Sequence, residues 1–343
     1  MDIVFYLSPF LTAFFLSILC IVSLRAVFSR FSVRDRRQGG RHAHRSGISR
    51  FGGVALIAAF LGTLFLNEYL VLTNAWWGLI VVSALILIVG LWDDIREISW
   101  KAQLLAQIAA GGIAFFFGIR MLSLTVPFGG ALFFDSGWTI AISFFMTIAW
   151  ILVVMNAVNW ADGVDGLCGG VSFIGFATIF FLSLRPEVAQ PPVAIFALAL
   201  AGSSLGFLLF NFYPARIFAG TSGSWFLGFM LASLAVFSGT KIATAIAVLA
   251  LPLLDASWVV FDRWHSGVSV FAADQRHLHH RLKKLGWSPY AIVLFFYSIT
   301  MTLAIVSLHT DAIGKLITLC VAVGTLLIFF FRIQDRVSRS VSK

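Results

Sequence analysis

The chain has 343 residues, of which 60% are hydrophobic and 11% are charged, and its mean hydropathy is +0.96. Soluble domains carry about 45–50% apolar and about 25% charged residues, so these values exclude an ordinary soluble protein. The formal net charge of +9 at pH 7 suits anionic lipid headgroups or an anionic substrate. A nucleic-acid partner is not expected, because no separate soluble basic domain is visible in the sequence.

Eleven apolar segments follow one another along the chain, and each predicts a membrane-spanning helix. A helix needs about 20 apolar residues to cross the hydrocarbon layer, and unpaired backbone in lipid leaves helices as the natural choice. The segments are 3–28, 51–72, 75–92, 101–119, 138–158, 170–185, 193–212, 222–238, 240–261, 288–308 and 312–331. The sequence therefore predicts an all-α, polytopic integral membrane protein with a single transmembrane domain over 1–343.

The N-terminal segment is interpreted as the first span. It opens with Asp2 and is too long and too acidic at its front for a cleaved signal peptide. The cysteines Cys20, Cys168 and Cys320 lie far apart in or beside apolar segments, without the spacing of a zinc or disulfide framework. They are interpreted as packing residues.

The distribution of cations predicts the orientation of the chain. With the N-terminus outside, 20 of the 24 Lys and Arg residues fall on the cytoplasmic side. Cytoplasmic loops carry the excess of these residues, so the N-terminus is predicted outside and the C-terminus in the cytoplasm. The predicted cytoplasmic loops that hold the polar clusters are 29–50, 92–100, 159–169, 213–221 and 262–287.

Two clusters of oxygen-bearing side chains follow the third and fifth predicted spans. Asp93 and Asp94 form the first, for which a solvated loop is the alternative. The second recurs every three residues, a spacing that keeps its groups near one side of a helix or its frayed end. Its members are Asn156, Asn159, Asp162 and Asp165. Four such groups at the end of a membrane helix are costly without partners, which favours a functional role over a structural one.

Two further clusters lie before the eighth and after the ninth predicted spans. The glycine-rich turn 218–224 could present its amides to a phosphate or serve as a plain helix cap. His277, His279 and His280 favour a phosphate-binding patch over a zinc site, because neither a cysteine nor an acidic residue has metal-ligand spacing. Asp255, close to Pro252, either satisfies a helix kink or faces an internal cavity.

Together these clusters combine oxygen ligands suited to Mg²⁺ with a basic patch suited to phosphates. Enzymes of phosphoryl transfer combine a metal site and a phosphate-binding site in the same way. The predicted site lies where lipid meets cytosol, which indicates one substrate dissolved in the membrane and another dissolved in water.

Five sequence motifs resemble those of a known family over nearly the whole chain. They are Arg41-His-Ala-His44 with Ile48-Ser-Arg-Phe-Gly-Gly53, Leu91-Trp-Asp-Asp94, Asn156-Ala-Val-Asn-Trp-Ala-Asp-Gly-Val-Asp-Gly-Leu167, Pro252-Leu-Leu-Asp255 and Asp274-Gln-Arg-His-Leu-His-His-Arg-Leu282. In this order they resemble the polyprenyl-phosphate N-acetylhexosamine-1-phosphate transferases of glycosyltransferase family 4, in particular the O-antigen and enterobacterial-type branch. These bacterial enzymes start lipid-linked cell-surface glycans, and their active site faces the cytosol.

The resemblance implies transfer of a sugar-1-phosphate from a UDP-N-acetylhexosamine to undecaprenyl phosphate, with release of UMP. It implies Mg²⁺ as cofactor, with Mn²⁺ as the alternative, and location in the bacterial inner membrane among its lipids. It leaves open whether the protein is a homodimer and which hexosamine is transferred. It also leaves open whether the lipid phosphate attacks directly or the reaction follows a two-step route through an aspartyl phosphate. The motif from Asp274 to Leu282 argues against a pentapeptide-bearing donor.

The resemblance also implies a role for individual residues. The implied catalytic residues are Asp93, Asp94, Asp162, His279 and His280; the implied substrate-binding residues are Arg41, His44, Asn156, Asn159, Asp165, Phe218, His277 and Arg281; and the implied metal ligands are Asp94, Asn159 and Asp162. Asp93 or Asp94 would deprotonate or orient the lipid phosphate, and Phe218 would stack on uracil. His279, His280 and Arg281 would hold phosphates, with His279 and Arg281 expected at a loop surface.

Two positions depart from the family pattern. Thr221 stands where the family usually has an aspartate regarded as a magnesium ligand, which would leave the metal site one carboxylate short. His42 stands where the first loop usually has a lysine. One alternative is therefore a catalytically impaired relative that binds nucleotide sugar or lipid phosphate. A transporter is the other, but transport sites lie near the membrane midplane, whereas these clusters lie at helix ends.

Overall fold

The computed structural model describes residues 3–30, 49–68, 70, 73–126, 129–237, 241–269 and 275–341. Each of the eleven predicted spans contains a helix within that part of the chain. The predictions for Arg41, His42, His44 and Asp274 lie outside the described residues. In chain order the elements are α1 (Ile3–Arg30), α2 (Gly52–Leu66), α3 (Asn74–Arg96), α4 (Trp100–Phe116), β1 (Ser123–Thr125), β2 (Ala131–Phe133), α5 (Thr139–Ala161), α6 (Leu167–Ser183), α7 (Pro191–Asn211), α8 (Gly220–Val236), α9 (Lys241–Val248), α10 (Ala250–His265), α11 (Leu278–Lys284), α12 (Pro289–His309) and α13 (Ala312–Val341).

The helices differ in how far they can reach across a bilayer. Among the described residues, six helices, namely α1, α3, α5, α7, α12 and α13, are long and apolar enough to cross a membrane, and α9 with α10 would make a seventh. α2, α6 and α8 are apolar but shorter, at 15, 17 and 17 residues. At 1.5 Å per residue, such helices fall short of a hydrocarbon layer about 30 Å thick. The chain is an all-α, multi-pass membrane protein, and the count of eleven spans stays a prediction.

The ninth predicted span is broken. α9 and α10 are bent by 74° at Leu249, and Pro252 lies in the first turn of α10. A helix tolerates proline in its first turn but not in its interior, which accounts for a new helix starting shortly before Pro252. The short helix α11 and the antiparallel pair β1–β2, which joins α4 to α5, were not predicted from the sequence.

α8 forms the centre of the bundle. Every residue of α8 except Thr221 is buried, and the helix packs against α2, α3, α5 and α6. A Cβ on Gly90 of α3 would overlap the backbone of Ser222, and one on Gly53 of α2 would overlap Gly223. Small residues at crossing points let membrane helices approach closely. These contacts bring the end of α3 against the beginning of α8, and this end of the bundle is called the site end below.

Candidate active site

The carboxylate of Asp93 is held by three segments of the chain. Its Oδ1 accepts hydrogen bonds from the Ile98 amide and from Gln103 Nε2, both at 2.9 Å. Its Oδ2 accepts one from the Thr221 hydroxyl at 2.6 Å. Asp93 is only 8% exposed, so the alternative of a solvated loop is wrong for this residue.

Asp94 binds the N-terminus of α8. Its Oδ1 accepts a hydrogen bond from the Thr221 amide at 2.7 Å, and its Oδ2 accepts from the Ser222 amide at 3.2 Å and the Ser222 hydroxyl at 2.8 Å. A helix N-terminus attracts an anion, and here the anion is a side chain of the protein itself. These two amides therefore donate to a carboxylate, and the expectation that they receive a phosphate is wrong.

Gly220 lets the two elements approach this closely. Its φ is +70°, a left-handed conformation that favours glycine, and a Cβ there would lie 2.6 and 2.7 Å from the two carboxylate oxygens of Asp94. The Gly220 amide donates a hydrogen bond to the side chain of Asp162. Asp94 and Asp162 thus reach the same glycine from α3 and from the end of α5.

Asp162 lies directly after the last residue of α5. Burial raises the pKa of its carboxyl group well above the ordinary value, and the charge of Asp94 raises it further, while Arg50 lowers it. Asn159, one turn earlier, donates from Nδ2 to the Ser224 hydroxyl at 2.7 Å. Asn159 and Asp162 therefore both contact the first turn of α8.

The other two members of the Asn/Asp series contact different elements. Asn156 donates from Nδ2 to Gln107 Oε1 of α4 at 2.7 Å, and Asp165 accepts a hydrogen bond from the Ala215 amide at 2.9 Å. The expectation that all four groups share one side is met for Asn159 and Asp162 alone. The end of α5 at Ala161 accounts for Asp165, which lies beyond the helix, whereas Asn156 lies within the helix and is bound by Gln107 of α4.

Asp255 holds the histidine segment, which we define as residues 276–281. Its Oδ2 lies 3.0 Å from His277 Nδ1, and its Oδ1 accepts a hydrogen bond from the Leu278 amide at 2.7 Å. Asp255 is 5% exposed and belongs to α10, whereas Leu278 begins α11. Both alternatives for Asp255, a kink satisfier and a charge facing a cavity, are therefore wrong, because its two oxygens contact the start of α11.

His279 joins the histidine segment to the turn that holds Asp162. A Cβ on Gly163 would overlap the Nε2 atom of His279, so the imidazole packs directly on that glycine. The rings of His277 and His279 are stacked with centroids 5.7 Å apart, and the centroids of His279 and His280 are 4.2 Å apart. His279 is 3% exposed and Arg281 is 7% exposed, so their expected position at a loop surface is wrong.

The guanidinium of Arg281 contacts three parts of the chain. Nε donates to the Arg276 carbonyl at 2.7 Å, one terminal nitrogen donates to Gln334 Oε1 at 3.2 Å, and the other donates to Asp262 Oδ2 at 3.2 Å. Asp262 also accepts a hydrogen bond from Arg276 at 3.2 Å. The phosphate-holding role of Arg281 stays a prediction, and its side chain takes part in the packing of α10, α11 and α13.

Phe218 lies in the segment that precedes α8. Its amide donates to the Ser49 carbonyl at 2.9 Å, and its carbonyl accepts from the Gly52 amide at 3.0 Å. Ser49 and Ile217 form a parallel bridge beside it. The half-buried ring of Phe218 is thus fixed next to the start of α2, and its stacking on uracil stays a prediction.

Two glutamines of α4 were not predicted as site residues. Gln103 donates to Asp93, and Gln107, which is 2% exposed, exchanges hydrogen bonds with Asn156. A signal for them was present, because an amide side chain inside a predicted span needs a polar partner. Their spacing of four residues places both on one face of α4.

A magnesium ion at the site end stays a prediction. Within the described residues, no group of three or more His, Cys, Asp or Glu side chains is placed to hold a metal ion together. Asp94 and Asp162 nevertheless meet at Gly220, and Asn159 binds Ser224 in the same helix. Mg²⁺ is commonly bound by one or two carboxylates, with substrate phosphates and water completing its octahedron.

Comparison with known proteins gives a consistent set of relatives. Residues 76–239 match the model of glycosyl transferase family 4. The chain is 31% identical to the probable undecaprenyl-phosphate N-acetylglucosaminyl 1-phosphate transferase of Bacillus subtilis (strain 168), over 96% of this chain and 92% of that protein. It is 31% identical to the decaprenyl-phosphate N-acetylglucosaminephosphotransferase of Mycobacterium tuberculosis (strain ATCC 25618 / H37Rv), over 75% of this chain and 70% of the relative. It is 29% identical to the phospho-N-acetylmuramoyl-pentapeptide-transferase of Bacillus pumilus (strain SAFR-032), over 88% of this chain and 95% of the relative.

Proposed function

We propose, because the chain belongs to the polyprenyl-phosphate N-acetylglucosamine-1-phosphate transferase family, that it transfers a sugar-1-phosphate from a UDP-N-acetylhexosamine to undecaprenyl phosphate. UMP is released, and the product initiates a lipid-linked cell-surface glycan. The observation that carries the proposal is the meeting of Asp94, Asn159 and Asp162 at the first turn of α8. Two buried carboxylates that come together from two helices favour a cation beside them, either alone or bound to a phosphate.

The donor proposed first is UDP-N-acetylglucosamine. The Bacillus subtilis and Mycobacterium tuberculosis relatives are named for N-acetylglucosamine transfer, and the relative named for a pentapeptide-bearing sugar is 29% identical. The motif from Asp274 to Leu282 also argues against a pentapeptide-bearing donor.

The lipid phosphate is assigned to the pair Asp93–Asp94. Both carboxylates are fixed by neutral donors from α8 and from the segment after α3, so their geometry is set before substrate arrives. One of them orients the phosphate or accepts its remaining proton. An oxygen of the lipid phosphate then attacks the β-phosphorus of the donor, and the bond between that phosphorus and the UMP oxygen breaks.

The donor phosphates are assigned to the region between the histidine segment and Asp162. His279 and His280 supply ring N–H groups to phosphate oxygens, and Asp255 fixes the ring of His277 beside them. Mg²⁺, or Mn²⁺ in its place, would be held by Asp94, Asn159 and Asp162 and would supply positive charge to the transferring phosphoryl group.

The orientation proposed for the chain places this site in the cytoplasm. The 20 to 4 distribution of Lys and Arg supports an outside N-terminus, eleven spans and residence in the bacterial inner membrane.

A catalytically impaired relative is the second candidate, and Thr221 favours it. The Thr221 hydroxyl donates to Asp93 at 2.6 Å, in place of a carboxylate that would offer a metal ligand. Such a protein would bind nucleotide sugar or lipid phosphate without turnover.

One assay separates the two candidates. Purified protein in lipid nanodiscs is given radiolabelled UDP-N-acetylglucosamine, undecaprenyl phosphate and Mg²⁺, with UMP release and labelled lipid measured together. Equal amounts of both products support the transferase, provided that Asp162→Asn abolishes them. Binding of UDP-sugar without product supports the impaired relative. Neither binding nor product contradicts both proposals.

A further inference from the structure

The last helix extends beyond the span that the sequence predicts for it. That span ends at residue 331, whereas α13 continues to Val341. Over the extension, Ile333 is buried and Val337 packs against the core, while Arg332 and Arg336 are exposed. One side of the extension is therefore held against the protein, and Gln334 lies on that side.

Gln334 contacts the histidine segment. Its Oε1 accepts a hydrogen bond from Arg281 at 3.2 Å, and the same guanidinium binds Asp262 of α10 at 3.2 Å. Arg281 is 7% exposed, so both contacts form largely away from water. A hydrogen bond to a charged group that is shielded in this way contributes more than one at the surface.

The histidine segment depends on such contacts for its position. α11 has seven residues, which is too short for a helix to be stable by itself. Asp255 holds its first turn through His277 and Leu278. Arg281, in the second turn, is held by α10 and α13 together. Between these two anchors lie His279, which packs on Gly163, and His280.

We propose that Gln334 is a positioning residue, which together with Asp262 fixes Arg281 so that α11 holds His279 and His280 against the turn of Gly163. The end of the last helix thereby belongs to the site, although it is distant in sequence from every catalytic residue. The effect on turnover rests on the proposed function, whereas the effect on the position of His279 does not.

The test compares Gln334→Ala with Gln334→Glu, which restores an acceptor for Arg281. Gln275→Ala is the matched control, because Gln275 is exposed and precedes the same segment. The first readout is modification of His279 by diethyl pyrocarbonate, followed by mass spectrometry, with the exposed His309 as an internal measure of reagent dose. This readout needs no substrate. In Gln334→Ala the modification rate of His279 should rise by about fivefold, because local opening exposes the ring.

The second readout is steady-state kinetics. Gln334→Ala should raise KM for the UDP-sugar by about tenfold, leave KM for the lipid phosphate within about twofold, and be rescued by Gln334→Glu. A loss of folded protein would instead lower kcat at unchanged KM. If Gln334→Ala cannot be obtained folded, Gln334→Met keeps the side-chain volume and is tested in the same way.

The outcomes separate the two proposals. If His279 stays as protected in Gln334→Ala as in the wild-type protein and in Gln275→Ala, the positioning role is wrong, whatever the activity. If the wild-type protein has no turnover while the modification of His279 still rises, the proposed function fails and the role of Gln334 in holding the segment stands.

Discussion

The aspartate pair and the histidine segment lie at the same end of the bundle but are held by different means. Asp93 and Asp94 are fixed by amides and hydroxyls at the crossing of α3 and α8, where glycine allows backbone contact. The histidine segment is fixed by side-chain carboxylates of α10 and an amide of α13. The first arrangement is part of the core packing, and the second is attached to it. Substitutions at the crossing of α3 and α8 should therefore disrupt the fold around the aspartate pair, whereas substitutions around the histidine segment should only weaken its attachment.

Gly90→Val should have the largest effect, because it attacks the crossing of α3 and α8. Any Cβ at this position overlaps the Ser222 backbone, which cannot move without displacing α8. We expect a loss of about 3 kcal/mol or more in the free energy of unfolding, at the upper end of overpacking effects. Thermal unfolding in detergent measures it. Gly112→Ala in α4 is the control, since a Cβ at Gly112 has no heavy atom within 4 Å. Equal melting temperatures for the two variants would show that the crossing is not tight.

Asp94→Asn should remove the chemistry at a smaller cost in stability. The amide keeps one oxygen for the donors of α8, but its NH2 group replaces the other acceptor, and it loses the charge assigned to the lipid phosphate. Turnover should fall by about 100-fold or more, and Asp93→Asn should behave alike. Radiolabelled lipid product measures the change, and Asp135→Asn, in an exposed loop, should match the wild type. Activity within a few fold of wild type in both Asp93→Asn and Asp94→Asn would assign the pair to structure alone.

Arg281→Ala should destabilise the protein moderately. It removes hydrogen bonds to Asp262, Gln334 and the Arg276 carbonyl, so we expect a loss of about 1–3 kcal/mol. Arg339→Ala is the control, because the side chain of Arg339 is 77% exposed and its ion pair with Asp335 contributes little. Unchanged thermal unfolding combined with weaker UDP-sugar binding would restore the surface role first expected for Arg281.

Thr221→Asp should have the smallest effect, and it tests the metal site. The new carboxylate would meet Asp93, where the threonine hydroxyl now donates, so like charges would repel. Without divalent ions the melting temperature should fall by about a few degrees, and Mg²⁺ should recover it. Thermal unfolding with and without Mg²⁺, beside magnesium-dependent turnover, gives the answer. An unchanged dependence on Mg²⁺ would show that position 221 does not face the ion.

Hydropathy was sufficient to predict a helix in each long apolar run, because a membrane leaves few alternatives to a helix, but it did not predict α11. The same reasoning failed at Leu249, where an apolar sequence runs through a 74° bend. Polar residues such as Asp93 and Asp162 were found because their cost in a membrane sets them apart. Their contacts with Thr221 and Gly220 were not predicted, because these two residues are distant in sequence and only the fold brings them close.

Burial of His279 and Arg281 was missed for a related reason. A stretch rich in histidine and arginine between two spans is typical of a solvated loop, and its composition gives no sign that Asp255 and Asp262 face it. These two carboxylates lie seven residues apart on α10, which places them on one face of the helix. The spacing was visible in the sequence, but the segment that it would meet was not.

The complete burial of α8 bears on how the protein is made. A helix with almost no lipid-facing surface in the folded protein reaches its final position in a space formed by its neighbours. Of the helices that pack on it, α2, α3, α5 and α6 precede it in the chain, so they have left the ribosome before α8 emerges. Chains fold from the N-terminus during synthesis, so these helices can form an incomplete bundle before α8 is added. Because Thr221 and Ser222 begin that helix, Asp94 gains its hydrogen bonds from them, and Asp93 gains its bond from the Thr221 hydroxyl, only at this late step of biogenesis.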